Sequence, residues 1–231
     1  MMRWRLFGSI AALMGAASFA NAAGDPLVKV GADQLCVTDG AASAGPGDVL
    51  SVATPAMRAV VPASSRQDIE ARFAFLGPTD QTAALGSGAI REQFGLKLRA
   101  ADPCNLVYAM WRFAPTPGVV VQLKRNPGQH NSQTCHNNGY REITPSFAEP
   151  VAAPALGRTY RLRAEMEAST LKVSVDGRVV WQGDLGADAL PEGGAVGIRS
   201  DNAKLSLTLF APVGAAPSGA PPPHCVRSGD D

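Results

Sequence analysis

The sequence has no excess of charge of either sign and only one long apolar run, which lies at its N-terminus. Lys and Arg number 21 against 20 Asp and Glu, a formal net charge of +1. A near-neutral chain has no general electrostatic attraction for nucleic acid or for an anionic membrane surface. Beyond that first run, no apolar stretch is long enough to span a bilayer. We therefore expect no nucleic acid as a partner and no transmembrane segment beyond that first run, and any recognition by charge must come from a local patch.

The sequence also lacks the 3.6-residue apolar periodicity of amphipathic helices. It has instead short stretches in which apolar and polar residues alternate, separated by turns rich in Gly, Pro, Asn and Asp. Roughly ten or more such stretches in one domain are typical of an antiparallel sandwich or jelly roll, with a barrel as the main alternative. No internal repeat supports a propeller or a solenoid. We predict an all-β fold, a two-sheet antiparallel β-sandwich of the jelly-roll type.

The N-terminus reads as a secretory signal peptide. A basic start containing Arg3 and Arg5 precedes an apolar run from Leu6 to Ala20, which closes in Ala20-Asn21-Ala22. We predict cleavage after Ala22 and an exported protein, periplasmic or extracellular. The predicted organisation is a signal peptide at 1–22, one sandwich domain at 23–212 with its core at about 68–212, and a Pro/Ala-rich tail at 213–231.

Four cysteines follow the signal peptide: Cys36, Cys104, Cys135 and Cys225. An even count in an oxidising compartment predicts two disulfides, for which three pairings exist. We favour Cys104–Cys135, between two loop-like stretches, and Cys36–Cys225, which would pin the end of the tail.

Two metal sites are alternatives. A set of Cys135, His136 and His130 could bind a metal, but the sequence has no Cys-x-x-Cys spacing and exported thiols usually oxidise. Asp201 and Asn202 could bind calcium, but they supply too few of the six to eight oxygen ligands that calcium takes. We predict no metal and no cofactor.

The stretch from Arg158 to Asp184 gives the sharpest fold signal. It holds three runs with period-two alternation, at residues 160–166 and 171–175 and then at Val179 and Trp181. Asp176-Gly177 lies between the second and third runs, and this dipeptide is typical of a tight hairpin because Gly accepts a positive φ.

The same stretch carries a resemblance to a known family. The order Gly-Arg-x-Tyr-Arg-Leu-Arg-Ala-Glu from Gly157, Leu-Lys-Val-Ser-Val-Asp-Gly-Arg-Val-Val-Trp from Leu171, and Gly-Ala-Val-Gly-Ile-Arg-Ser-Asp-Asn from Gly194 resembles the concanavalin A-like lectin/glucanase superfamily. Its members include laminin-G-like domains and 3-keto-disaccharide hydrolase-like proteins. The match covers residues 68–212 and its motifs are structural. The resemblance implies a jelly roll in which one sheet and its rim loops bind glycans.

The catalytic signature of the laminarinase-type members, Glu-x-Asp-x-x-Glu, does not occur. Glu165 and Glu167 come nearest, at the spacing that a retaining pair of carboxylates could use. Arg161 and Arg163 share their strand, so we interpret the four side chains as solvated ion pairs. The sequence accordingly favours a binding protein over an enzyme and leaves catalysis open.

The strongest candidate site lies between Arg91 and Tyr140. Polar residues at alternate positions of three successive strand candidates would share one sheet face, and a long loop at 125–149 would form its rim. Planar donors and a tyrosine on such a face suit sugar hydroxyls and carboxylates. The predicted ligand-binding residues are Arg91, Gln93, Tyr108, Arg112, Gln122, Lys124, Asn126, His130 and Tyr140.

The leading hypothesis is binding of a carbohydrate or cell-envelope glycan to this face. An ordinary solvated sandwich face would carry the same residues. Two other functions remain open. One is a glycan-cleaving enzyme, either a 3-keto-glycoside hydrolase or a polysaccharide lyase that uses His130, Tyr140 and Arg91. The other is an envelope scaffold that binds a protein through the same surface.

Overall fold

A computed structural model describes residue 1 and residues 27–61, 66–186 and 193–212. In chain order its strands are β1 (Val28–Lys29), β2 (Cys36–Asp39), β3 (Ser43–Ala44), β4 (Leu50–Val52), β5 (Ala56–Val61), β6 (Gln67–Pro78), β7 (Glu92–Asp102), β8 (Asn105–Ala114), β9 (Gly118–Lys124), β10 (Tyr140–Glu142), β11 (Phe147–Ala148), β12 (Thr159–Glu167), β13 (Thr170–Val175), β14 (Arg178–Asp184), β15 (Ala195–Asp201) and β16 (Ala203–Ala211). Helical structure is limited to one turn, α1 (Ser132–Cys135), and two 3-10 turns at Ala32–Gln34 and Pro46–Asp48 within these ranges. None of these helices is long and apolar enough to cross a membrane.

The strands form two antiparallel sheets. The nine-stranded sheet has the order β11-β14-β13-β12-β6-β16-β4-β3, with β1 also pairing to β16. The seven-stranded sheet has the order β10-β9-β8-β7-β15-β5-β2. Their inner faces enclose one large apolar core, so the predicted two-sheet sandwich is confirmed.

The core follows from the alternation in the sequence, because successive side chains of a strand point to opposite faces. Phe73 of β6 lies at its centre, with ring centroids 4.8 Å from Phe94 and 5.7 Å from Trp111. The indole Nε1 of Trp111 donates to the carbonyl of Ala152 at 3.1 Å, so its polar atom is satisfied in the core. Trp181 is buried as well. Neither tryptophan is available to a ligand.

The β12–β13–β14 meander has the predicted hairpin. Asp176 and Gly177 both have positive φ, 50° and 85°, and the register pairs Val175 with Arg178 across this two-residue turn. One detail of the predicted alternation is wrong. A bulge between Val173 and Ser174 shifts the register, so Val179 is exposed while Trp181 is buried.

The segment before residue 62 contributes to both sheets. β4 lies between β16 and β3 in the nine-stranded sheet, and β5 lies between β15 and β2 in the other. The sandwich therefore begins well before the region that carries the family resemblance. The predicted signal peptide from residue 2 onward and the predicted tail at 213–231 lie outside the described residues.

The predicted Cys104–Cys135 disulfide is confirmed, with the two residues separated by 31 positions. It ties the loop at 125–139 to the β7–β8 turn. Closure of a loop of this length stabilises the fold by about 3–4 kcal/mol in the chain-entropy model. The metal set of Cys135, His136 and His130 is thereby excluded, because a disulfide sulfur is not a thiolate ligand. Cys36 is not a free thiol, but its predicted partner, Cys225, lies outside the described residues.

Candidate binding cavity on the seven-stranded sheet

A cavity of about 470 Å³ lies on the outer face of the seven-stranded sheet, and we call it the outer cavity. Strands β5, β7, β8, β9 and β15 form its floor, and loops 79–91 and 125–139 form its walls. Its volume falls within the range of small-molecule sites, about 300–1,000 Å³. The side chains used below are Arg58, Arg91, Gln93, Lys97, Tyr108, Gln122, Lys124, Ser132, His136, Tyr140, Arg199 and Asp201.

The floor arises from strand register. β7, β8 and β9 are neighbours, as the sequence pattern predicts, and Tyr108 pairs with Lys97 on one side and with Gln122 on the other. The intervening residues of these strands, such as Leu96 and Leu123, point into the core. The polar alternate positions are therefore collected on one outward surface.

Loop 79–91 is held over this surface by a residue from the β15–β16 turn. Asn202 accepts a hydrogen bond from the backbone N–H of Ala83 and donates to the carbonyls of Ala83 and Arg91, each at 2.9 Å. Asp80 forms a further ion pair with Lys204 at 2.6 Å. These contacts fix the wall relative to the floor strand β15.

The two ends of loop 125–139 lie next to each other, because Lys124 at the end of β9 pairs with Tyr140 at the start of β10. Asn126 holds the base of the loop by donating to the carbonyls of Cys104 and Asn138. The loop contributes Ser132, His136 and Asn137 to the cavity lining. It also touches the opposite wall, since a Cβ added at Gly86 would lie 3.2 Å from the Cβ of Asn137.

At the floor, Asp201 is surrounded by hydrogen-bond donors. Its two oxygens accept from Arg58 Nη2 at 2.8 Å, from Arg199 Nε at 2.8 Å and from Gln93 Nε2 at 2.6 Å. Burial on its own would raise the pKa of this carboxyl. The charges of Arg199 and Arg58, with the hydrogen bonds from Arg199 and Gln93, outweigh burial and lower the pKa of Asp201 to about 2. Two guanidinium groups at this carboxylate leave no suitable site for calcium.

Arg199 connects this carboxylate to a pair of stacked tyrosines. Burial lowers the pKa of Arg199, but the charge of Asp201, the electrostatic influence of Tyr108 and Tyr140, and the hydrogen bond to Asp201 together raise it well above the usual value. Its Cζ lies 5.0 Å from the ring centroid of Tyr108, and Nη1 donates to the hydroxyl of Tyr140 at 3.4 Å. The two rings stack with centroids 6.1 Å apart, and Lys124 Nζ lies 5.1 Å from the centroid of Tyr140. A cation therefore lies over each tyrosine ring.

The structure brings six of the nine predicted ligand-binding residues to the outer cavity: Arg91, Gln93, Tyr108, Gln122, Lys124 and Tyr140. It places Arg112, Asn126 and His130 elsewhere. Arg112 forms an ion pair with Glu142 at 3.6 Å, and Asn126 has the structural role given above.

The predicted lyase set is not assembled by the fold. The side chain of His130 is 73% exposed, and its Nδ1 lies 2.7 Å from an oxygen of Asp102. It does not belong to the described lining of the outer cavity, whereas Tyr140 and Arg91 do. The three groups proposed for one proton-transfer site therefore do not share a site.

Several cavity residues were not among the predicted ligand-binding residues: Arg58, Arg199, Asp201, His136 and residues 83–87 of loop 79–91. Some of them left a signal in the sequence. Arg58 is the single charge in the apolar strand β5, and Arg199 and Asp201 are the two charges of strand β15, whose first four residues are apolar or Gly. Charges on strands in the middle of a sheet need partners, and this requirement could have linked them.

Solved structures agree with this architecture, whereas no family model and no curated protein matches the sequence. Among solved structures, a carbohydrate-binding module of Bacillus subtilis, CBM66, aligns with a TM-score of 0.52 at 14% identity, over 77% of this chain and 96% of the module.

Two further structures have TM-scores below 0.5. The carbohydrate recognition domain of Emp46p aligns with a TM-score of 0.47 at 12% identity, over 78% of this chain and 89% of that domain. Domain 4 of an arabinanase from Geobacillus stearothermophilus aligns with a TM-score of 0.43 at 12% identity, over 77% of this chain and 82% of that domain. The sheet order and the alignment with the Bacillus subtilis module show that this chain has the concanavalin A-like jelly-roll fold.

Proposed function

We propose that this protein binds a carbohydrate in the outer cavity. The observation that carries the proposal is the cavity itself, a site of about 470 Å³ with many hydrogen-bonding side chains between two anchored loops. The Bacillus subtilis module that shares the fold is a carbohydrate-binding module. A shared fold does not by itself define a ligand, so the proposal rests on the site.

Unsatisfied polar atoms at the cavity support a hydroxyl-rich ligand. Gln93 Oε1, Ser132 Oγ and Arg58 Nε are buried and have no hydrogen-bond partner among the described residues. All three residues line the outer cavity. Buried polar atoms are normally paired, and each unpaired one costs about 1–3 kcal/mol. A sugar hydroxyl can donate or accept, so a saccharide can satisfy donors and acceptors at one site.

The proposed setting is outside the cytoplasm. A disulfide between Cys104 and Cys135 is typical of an oxidising compartment. We propose export through the signal peptide at 1–22, to the periplasm or the extracellular space, where the ligand would be an extracellular or envelope glycan. The pairing of Cys36 with Cys225 and the pinned tail at 213–231 belong to the same proposal.

A glycan array followed by isothermal titration tests the function. Gln122 lines the outer cavity, and Gln182 of β14 is a matched glutamine on the nine-stranded sheet. We expect Gln122→Ala to weaken saccharide binding by about 2- to 10-fold, the value of one neutral hydrogen bond. Gln182→Ala should leave it unchanged.

Two results would contradict the proposal. Absence of saccharide binding by the wild-type protein would overturn it, and so would equal losses in the two variants, since they would place the site elsewhere. Release of product during prolonged incubation would show an enzyme instead. Capture of a protein partner that no saccharide displaces would favour the scaffold function.

A further inference from the structure

The charges of the outer cavity are unbalanced. The described lining residues include five cationic side chains and one carboxylate: Arg58, Arg91, Lys97, Lys124 and Arg199 against Asp201. The whole chain has a formal net charge of only +1. The imbalance is therefore local, and it occurs where two loops partly exclude water. Charges in such a place interact more strongly than on an open surface.

Two of these cations have a structural role. Arg58 and Arg199 hold Asp201 at 2.8 Å each, and their side chains are 8% and 12% exposed. Burial alone would raise the pKa of Asp201, and both guanidinium groups lower it, which favours the ionised carboxylate. We do not assign their charges to an anionic group of the ligand.

Lys124 differs from Arg58 and Arg199, because no carboxylate in the part of the chain that the structure describes forms an ion pair with it. The residue is 3% exposed, and its ammonium lies over the ring of Tyr140. A buried ammonium without a counter-ion is costly, and an anion from outside would compensate it. The unpaired charge therefore points to a ligand of negative charge.

Arg91, at the end of loop 79–91, gives a second indication. It lines the outer cavity and forms no ion pair with any described residue. Its neighbour Arg112 has a lowered pKa, caused by burial and then by the charge of Arg91. The fold thus keeps two guanidinium groups close together, with Glu142 as the counter-charge of Arg112 at 3.6 Å. Such a pair attracts an anion, and a guanidinium suits a carboxylate or a sulfate group bidentately.

The strand register separates the two positions. Lys124 pairs with Leu106 at one end of β8, and Arg112 lies six positions along the same strand. At about 3.4 Å per residue, the backbones of Leu106 and Arg112 are about 20 Å apart. Arg112 is the neighbour of Arg91, and both Lys124 and Arg91 line the outer cavity, so the two cations suit an oligosaccharide with more than one anionic group.

We infer that the ligand of the outer cavity is an acidic oligosaccharide, whose carboxylate or sulfate groups bind Lys124 and Arg91 while its hydroxyls bind Gln93 and Gln122. This inference rests on the proposed function and specifies its ligand class. The tyrosine rings agree with it, because Arg199 and Lys124 already lie over Tyr108 and Tyr140. Recognition here depends on charge and hydrogen bonds more than on ring stacking.

Titration calorimetry with three matched probes tests the inference: a hexuronate oligosaccharide, the neutral hexose oligosaccharide of the same length, and its sulfated form. We expect at least one acidic probe to bind about tenfold or more tightly than the neutral one, because charge-assisted hydrogen bonds are the stronger class. Lys124→Gln and Arg91→Gln should each lower the affinity for the acidic probe by about tenfold and leave the affinity for the neutral probe unchanged. The preferred acidic probe identifies carboxylate or sulfate as the anionic group.

The control is Lys172→Gln, which removes a lysine charge from an exposed position on the nine-stranded sheet. It should leave the affinity for every probe unchanged. Lys124 is buried, so its variant is checked for native circular dichroism. Arg91 is only half-buried and provides the second test if Lys124→Gln does not fold. Equal affinity for the neutral and acidic probes would overturn the inference and leave the proposed function standing. Absence of binding to any probe or array glycan would overturn both.

Discussion

The outer faces of the two sheets carry their charges in opposite ways. On the nine-stranded sheet, acids and bases of β6 and β12 neutralise one another: Asp68 pairs with Arg163 at 2.8 Å and Glu70 pairs with Arg72 at 2.9 Å. On the seven-stranded sheet, the described cavity residues include five cations and one acid. The named charges of the first face are paired with one another, whereas on the second face Lys124 and Arg91 form no ion pair with any described residue. Local charge imbalance, rather than the number of charged residues, distinguishes the candidate site.

The two faces also differ in how far their charges are removed from water. The side chain of Arg72 is 54% exposed and that of Arg163 is 33% exposed, while Arg58 and Arg199 are almost covered. Solvent screens Arg72 and Arg163, so each of their ion pairs contributes little to stability. Arg58 and Arg199 lose their hydration on folding, so their stability in the folded protein depends on their carboxylate partner. Removing one carboxylate from each face should therefore have unequal effects.

The largest effect is expected for Asp201→Asn. This change removes the only negative charge between two buried guanidinium groups. Uncompensated buried charge costs about 3–5 kcal/mol. We expect the free energy of unfolding, measured with guanidinium chloride at pH 7, to fall by that amount. A loss below about 1 kcal/mol would show that Arg58 and Arg199 do not need this carboxylate.

Acid should remove a smaller part of this contribution without a mutation. The pKa of Asp201 is lowered from 3.8 to about 2 in the folded protein, so the unfolded chain takes up its proton first as the pH falls. The stabilisation is fully present above about pH 4 and is lost as the pH falls toward 2, a total of about 2 kcal/mol.

Urea unfolding at a series of pH values between 5 and 2 measures this loss. The Asp201→Asn variant is the matched control, because it lacks the titrating group, and its stability should fall less over the same range. If the free energy of unfolding falls equally with pH in the two proteins, the assignment of the low pKa to this carboxyl is contradicted.

The fold could be predicted from the sequence because its signals are local. Period-two alternation and the Asp176-Gly177 turn determine the β12–β14 meander within a few neighbouring residues. Among the three possible pairings, the sequence favours Cys104–Cys135 because both residues lie in loop-like stretches. The bulge at Val173 and Ser174 was not predicted, because register depends on the contacts of a whole strand with its neighbours.

The candidate site was predicted only where it is continuous in sequence. Six predicted residues on or next to β7, β8, β9 and β10 do line the outer cavity, because sequential strands of an antiparallel sheet are often neighbours. Arg58 and Arg199 come from β5 and β15, which join β7 only through long-range pairing. Asn202 holds loop 79–91 from more than a hundred positions away. Such contacts leave no periodic signal.

The smallest effect is expected for Asp68→Asn, the matched change on the nine-stranded sheet. Asp68 is buried, but its partners Arg163 and Arg66 are about one-third exposed and remain hydrated without it. Arg163 also keeps Glu165 as a partner at 2.8 Å. We expect a loss of about 1 kcal/mol, reduced further in high salt because screening weakens solvated pairs. Guanidinium chloride contains salt, so urea unfolding at low and high NaCl is the measurement. A loss as large as that of Asp201→Asn would mean that burial of the carboxylate alone, and not desolvation of its cationic partners, determines the cost on both faces.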